Sequence, residues 1–169
     1  SLMSLWSLGS LLTMVQHPVR LVITGMGAIA PSGNSVAEFW DGLVAGRCAL
    51  APITYFDASP FRNANGGEVK NFPLPDPEAS RAKAYALAAI GQAIADARLD
   101  GEALRAAGIV LATNFGGCEH GEKFLAAQGR GESPDPLWFG EADFQAAAVA
   151  AAKRWGLRGP TATLSLSCA

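Results

Sequence analysis

Residues 20–24, RLVIT, form an apolar, β-branched run without alternation, the pattern of a strand covered on both faces. After a loop, SVAEFWDGLVAGR puts Val36, Phe39, Trp40, Leu43 and Val44 on one face of a helix, which Asn34 or Ser35 caps and Gly46 ends. Residues 48–77 are punctuated by Pro, Asn and Gly and read as surface connection with short strand pieces such as GEVKNF. Asp76 and Pro77 supply an N-cap and a first-turn proline for a helix through EASRAKAYALAAIGQAIADARLD. Its stripe of Ala86, Ile90, Ala93 and Ala97 suits close packing. GIVLATNFGG is a second buried strand followed by glycines, and EADFQAAAVAAAKRWG is a third helix that stops at Gly156, with Lys153 and Arg154 in its last turn. The β-rich GPTATLSLSCA closes the chain. This order of strands and helices predicts an α/β layer around a mostly parallel sheet.

Composition narrows the partners. The 169 residues suit one domain with a real core. With 13 basic and 15 acidic residues and no basic block, nucleic acid is not an expected partner. Cys48, Cys118 and Cys168 form neither a disulfide framework nor a C-x-x-C pair, so a reducing cytoplasm and no metal are expected. Residues 1–19 carry no charged side chain and lack both a basic start and a small-residue cleavage site. Too short and broken to span a bilayer, they are expected to be an extraneous leader without ordered structure, and residues 20–169 to be the domain.

The glycines of VITGMGAIAPSGN raise one specific chemistry. Gly25, Gly27 and Ala30 reproduce the G-x-G-x-x-[GA] spacing of a dinucleotide-binding turn. That turn needs its third small residue inside a helix, whereas Pro31 biases Ala30 out of helical geometry and Gly33-Asn34 prolong the loop. Asp41, near the spacing of the ribose-binding acid, falls within the amphipathic helix. No nucleotide is expected; Gly25 and Gly27 should let the chain turn sharply off the first strand.

Cys168 stands where a strand stops and a helix would begin. Helix amides there stabilise a thiolate and a developing oxyanion, but a buried structural cysteine fits the same position. The residues alone leave both open.

RLVITGMGAIAPSGNSVAEFWDGLVAGR resembles the opening of the β-ketoacyl-(acyl-carrier-protein) synthases, the condensing enzymes of fatty-acid and polyketide synthesis. That opening reads approximately R-V-V-[IV]-T-G-x-G-x-[IVL]-[ST]-P-x-G-N, with a tryptophan in the next helix. YFD, IVLATNFGG and GLRGPTATLSLSCA fall, in order, where the family has its Phe-Asp, its glycine-rich loop and its G-L-x-G-P…[ST]-A-C-[AS] nucleophile segment. The likeness runs over residues 20–169.

The resemblance implies a thiolase-like layered α/β fold, of which this chain is an incomplete amino-terminal half, and a cytoplasmic homodimer without cofactor. It implies Cys168 as the acyl-accepting nucleophile, its own backbone N–H as an oxyanion donor, and Phe115, Gly116 and Gly117 near the substrate. The partners implied are acyl carrier proteins bearing acyl and malonyl thioesters. The family's two histidines and lysine fall in a second half, and neither His17 nor His120 replaces them: His17 is expected as a solvated linker residue, His120 in a surface or loop-packing role. Cys48 and Cys118 are expected to be packing or loop residues. With only Ala169 behind Cys168, the isolated chain is expected to be inactive and to expose a face and an edge of its sheet.

Departures from the family pattern fall in three places. Ser167 and Ser165 replace an alanine and a threonine-like residue ahead of the cysteine. RAKAY, residues 81–85, stands where many members carry an Arg-x-Asp-Arg type run, which bears on a partner contact. WFGEADFQAAAVAAAKRWG lacks the usual Pro-Ser and Asn of a segment that shapes the acyl pocket, which bears on chain length. The alternatives are a non-catalytic ketosynthase-like partner subunit, disfavoured by retention of the cysteine, or a half-domain interaction module.

Overall fold

The computed structural model describes residues 20–76 and 78–165. The expectations for residues 1–19, for Pro77 and for Cys168 lie outside them.

Helix α1, Val36–Val44, starts where Ser35 accepts the Glu38 amide at 3.2 Å, while the Glu38 carboxylate reaches back to the Asn34 amide at 2.7 Å. Two orphan donors of the first turn are thereby satisfied reciprocally, a capping box displaced by one residue. The helix ends as expected at Gly46, whose φ of 63° places the Arg47 amide on the Gly42 carbonyl. Of the expected apolar face, Trp40, Leu43 and Val44 are exposed.

The connection that follows holds a minimal antiparallel pair, β1 (Ala51–Pro52) with β2 (Asn65–Gly66), rather than a strand within residues 67–72. Glu68 organises it by accepting the amides of Thr54 and Tyr55, the Thr54 hydroxyl and the Lys70 ammonium.

Helix α2, Arg81–Asp96, starts four residues later than expected. Asp76 instead closes a tight turn, its side chain accepting the Glu78 amide and its carbonyl the Ala79 amide. A helix begun at Asp76 would direct the Ser80 amide to the Asp76 carbonyl. That amide is bonded to Glu141, and Ser80 becomes the N-cap.

Helix α3 (Gly101–Ala106) leads into β3 (Ile109–Ala112), which pairs in parallel with β4 (Thr161–Leu164) in the register Ile109 to Thr161 through Ala112 to Leu164. Three helices separate these strands: α4 (Cys118–Gly129), α5 (Pro136–Ala142) and α6 (Ala146–Trp155). Ala147, Ala148 and Ala151 recur on one face of α6 and are buried, as is Ala84 of α2, which packs against it. Small residues let these helices approach closely. The end at Gly156, φ 63°, is as expected, but the expected helix from Glu141 breaks at Asp143, whose side chain accepts the Gln145 amide at 2.8 Å.

Residues 20–24 form no strand, and the expectation of burial on both faces is overturned: Leu21 is 91% and Ile23 83% exposed. A strand is stabilised by its ladder partner, and none faces this segment among the described residues. Val110 of β3 is likewise 70% exposed, so the parallel pair is covered by helices on one face. Among the described residues no helix is long and apolar enough to cross a membrane.

Candidate functional site

Gly25 and Gly27 have ordinary negative-side backbone angles and do not make the sharp turn expected of them. Their role is close approach: a Cβ at Gly27 would lie 1.9 Å from the Ala89 carbonyl oxygen, and one at Gly25 2.4 Å from that of Ala93. Two of the segment's amides are already engaged by α2. Met26 N–H donates to Asp96 Oδ2 at 2.9 Å and Ala28 N–H to Gln92 Oε1 at 3.0 Å, while Gln92 Nε2 donates to the Asn34 carbonyl. The glycine-spaced segment is therefore a docking strip for α2, with no cradle for a nucleotide.

The second glycine loop has a different geometry. At the end of β3 the Thr113 hydroxyl accepts the Gly116 amide at 2.9 Å, folding residues 113–116 into a turn. Gly116 has φ 52°, and a Cβ there would meet the Phe144 ring at 2.6 Å. Gly117 is pressed harder still, since its Cβ would lie 2.1 Å from the Glu141 carbonyl oxygen and 2.8 Å from Ser80 Cβ. Only glycine fits either position. Phe115 between them and β3 is 71% exposed.

Beneath this turn the start of α2 meets the α5–α6 corner. Ser80 N–H donates to Glu141 Oε2 at 2.8 Å, and the Lys83 ammonium pairs with Glu141 Oε1. Burial by itself would raise the Glu141 carboxyl; the Lys83 and Ser80 bonds, with the charge of Lys83, outweigh it and hold the group below the ordinary range. Arg81 N–H donates to Glu119 Oε1 at 3.0 Å. A cavity of about 90 Å³ lies here, lined by Ser80, Lys83, Leu111, Thr113, Phe144 and Ala147 among others. On the far side of Phe144 a more open hollow of about 490 Å³ is bounded by residues 142–145 with Thr163 and Ser165, so the last described residue of the chain faces the same corner. The Thr163 hydroxyl is buried there without a protein partner.

The expected substrate residues Phe115, Gly116 and Gly117 thus lie on one turn whose two glycines are tightly packed, and the chain leaves β4 beside them. Cys168 itself lies outside the described residues. Cys48 sits exposed in a loop and Cys118 exposed at the start of α4. Despite that helix start, partial desolvation and the neighbouring Glu119 and Glu122 push the Cys118 thiol upward. His120 is not a surface residue: it is 3% exposed in the first turn of α4, and neither ring nitrogen has a hydrogen-bond partner. Among the described residues no group of His, Cys, Asp and Glu is arranged to hold a metal. Sequence reasoning missed Ser80, Lys83 and Glu141. The one signal that pointed to them was that each lies in or beside a departure from the family pattern.

Residues 19–169 match the family model described as "Beta-ketoacyl synthase, N-terminal domain". A "3-oxoacyl-[acyl-carrier-protein] synthase 2" from Synechocystis sp. is 43% identical over 107 residues, 58% of this chain and 26% of that protein. The solved structure titled "The ishigamide ketosynthase/chain length factor" superposes with a TM-score of 0.72 at 31% identity, covering 85% of this chain and 39% of the other. "AntDE:AntF (apo): type II PKS acyl-carrier protein in complex with its ketosynthase bound to the hexaketide" shares the fold with a TM-score of 0.68 at 23% identity, over 85% and 37% of the two chains. This chain therefore spans between a quarter and two fifths of the length of these proteins.

Proposed function

The chain belongs to the β-ketoacyl synthases, in the region of their amino-terminal domain, and from that premise we propose that the protein carrying it is a condensing acyltransferase with Cys168 as nucleophile. In this reading the Cys168 thiolate attacks the carbonyl carbon of an acyl thioester. The tetrahedral oxyanion is held by the Cys168 backbone N–H, and its collapse expels the carrier thiolate and leaves an acyl-enzyme. A malonyl thioester then loses CO2. The electron pair of the broken C–C bond forms the new C–C bond to the acyl carbon, and the cysteine thiolate departs. The second half supplies the family's histidines and lysine to this step. Phe115, Gly116 and Gly117 form the wall along which the acyl group lies.

One observation carries this reading: the family match extends through Cys168, four residues after β4, the strand that runs parallel to the one leading into the Phe115–Gly117 turn. Ser165, three residues before Cys168 in the sequence, borders the hollow beside Phe144. The carrier-protein partner is supported by a neighbour whose title names a ketosynthase with an acyl-carrier protein. Homodimer formation and cytoplasmic location belong to the same proposal, as does inactivity of residues 20–169 on their own.

The test is condensation by the intact protein, supplied with acyl- and malonyl-carrier protein and read as β-ketoacyl product. Cys168→Ala should abolish the product. A Cys168→Ala protein that sustains full activity in a complex would instead establish a non-catalytic partner subunit.

A further inference from the structure

The two long departures from the family pattern, RAKAY and WFGEADF, meet in space. Lys83 comes from the first and Glu141 from the second, and their side chains are 17% and 8% exposed. Burying two charges is costly, and such a pair adds little stability over apolar residues of the same volume, so its use must be sought in the geometry it imposes. Here the geometry is specific. The Glu141 carboxylate takes the Lys83 ammonium and the Ser80 amide together, which fastens the α5–α6 corner to the first turn of α2. Gly117 is clamped between the two parts so joined, and Gly116 lies under Phe144, three residues beyond Glu141.

We infer that Lys83 and Glu141 are positioning residues, whose ion pair locks the 113–117 turn in place and thereby sets the acyl wall and the acyl-chain preference at Cys168. The acyl part rests on the proposed function; the lock rests on geometry alone. Each half of the pair is needed by the other: without Lys83, the Glu141 carboxylate keeps only the Ser80 amide as partner and turns toward water, pulling on the corner that carries Phe144.

The experiment uses Lys83→Met and Glu141→Gln, the second of which still accepts the Ser80 amide and guards against a misfolded first variant. Lys83→Arg is the conservative rescue, and Arg130→Ala, which breaks the exposed Arg130–Glu132 pair, is the control. Amide exchange across residues 113–119 should quicken by at least about tenfold in the first two variants and return to the parent rate in Lys83→Arg. Single-turnover acylation of Cys168 by short and long acyl thioesters should change its rate ratio by a similar factor. Unchanged exchange in both variants overturns the lock. Exchange that quickens evenly over the whole chain also overturns it, because the pair is then only a stabilising contact. Local quickening with an unaltered rate ratio overturns the positioning role. If the parent protein takes no acyl group at Cys168, the functional proposal fails, while the exchange measurement still decides the lock.

Discussion

Gly117→Ala tests the packing of the candidate site at a glycine outside the left-handed region. Gly117 has φ −98° and ψ 43°, outside the left-handed region that favours glycine, so space is the main obstacle to alanine. The added methyl would stand 2.1 Å from the Glu141 carbonyl oxygen and 2.8 Å from Ser80 Cβ, against ordinary contact from 3.4 Å. Relief therefore requires the α5–α6 corner to retreat from α2 by roughly an ångström, and overpacking of that kind costs about 2–3 kcal/mol. The shift must also lengthen the Ser80–Glu141 bond, now 2.8 Å. For a chain of this size the loss corresponds to a fall in Tm of roughly 5–10 °C. Gly129→Ala is the matched control, because nothing lies within 4 Å of its added methyl, and its helical propensity should leave stability unchanged or raise it by up to about 1 kcal/mol. Thermal unfolding followed by circular dichroism reads both. A Gly117→Ala protein melting with the parent would refute the clamp on this loop.

Other perturbations test separate parts of the account. Gln92→Ala removes the acceptor of the Ala28 amide and the donor to the Asn34 carbonyl, and should cost about 1–2 kcal/mol in urea denaturation; no loss would detach the 25–34 strip from α2. The same strip should give a flat calorimetric titration with NAD(H) and NADP(H), and saturable binding would restore the nucleotide reading. Lys70 beside Glu68 holds that carboxyl at about 2, against an ordinary 4.5, with the Thr54 and Tyr55 bonds adding to its effect. A lowered folded-state value stabilises above the unfolded value and is lost as pH falls, so this contribution should decline between about pH 4.5 and 2. Lys70→Met should flatten that part of the Tm-against-pH curve, and an unchanged slope would exclude the pair as its source. Ser80→Ala removes the N-cap of α2 and should lower stability by about 1 kcal/mol on the same melts; a neutral result would show the Glu141 contact sufficient to start the helix.

Local chemistry was legible where one residue decides a local geometry. Gly46 and Gly156 end helices because a left-handed residue is needed there, and Ser35 caps α1 through its own hydroxyl. The parallel pair of IVLA with TATL fits the mostly parallel sheet expected from β-rich runs separated by helical sequence, though which strands would pair was not legible. What escaped was set by distant partners. The start of α2 moved because Ser80 N–H is taken by a carboxylate 61 residues away, a bond that no local pattern announces. Helix α4 has no apolar stripe to reveal it and buries His120 and Ala127 instead. RLVIT has strand composition, but composition supplies no ladder partner. At the site, Gly116 and Gly117 were visible as a pair; the reasons for them, Phe144 and Glu141, were not. The departures that carried Lys83 and Glu141 were visible singly, and only the fold joins them.

The central claim is that Cys168 takes the acyl group, and site-resolved mass mapping tests it most directly. The intact protein is incubated with an acyl-carrier thioester, digested at low pH and searched for the acyl mass on each of its three cysteine peptides. The account predicts the adduct on the Cys168 peptide, none on those of Cys48 or Cys118, and its loss in Cys168→Ala. An adduct spread equally over the three, or confined to Cys48 or Cys118, would contradict it.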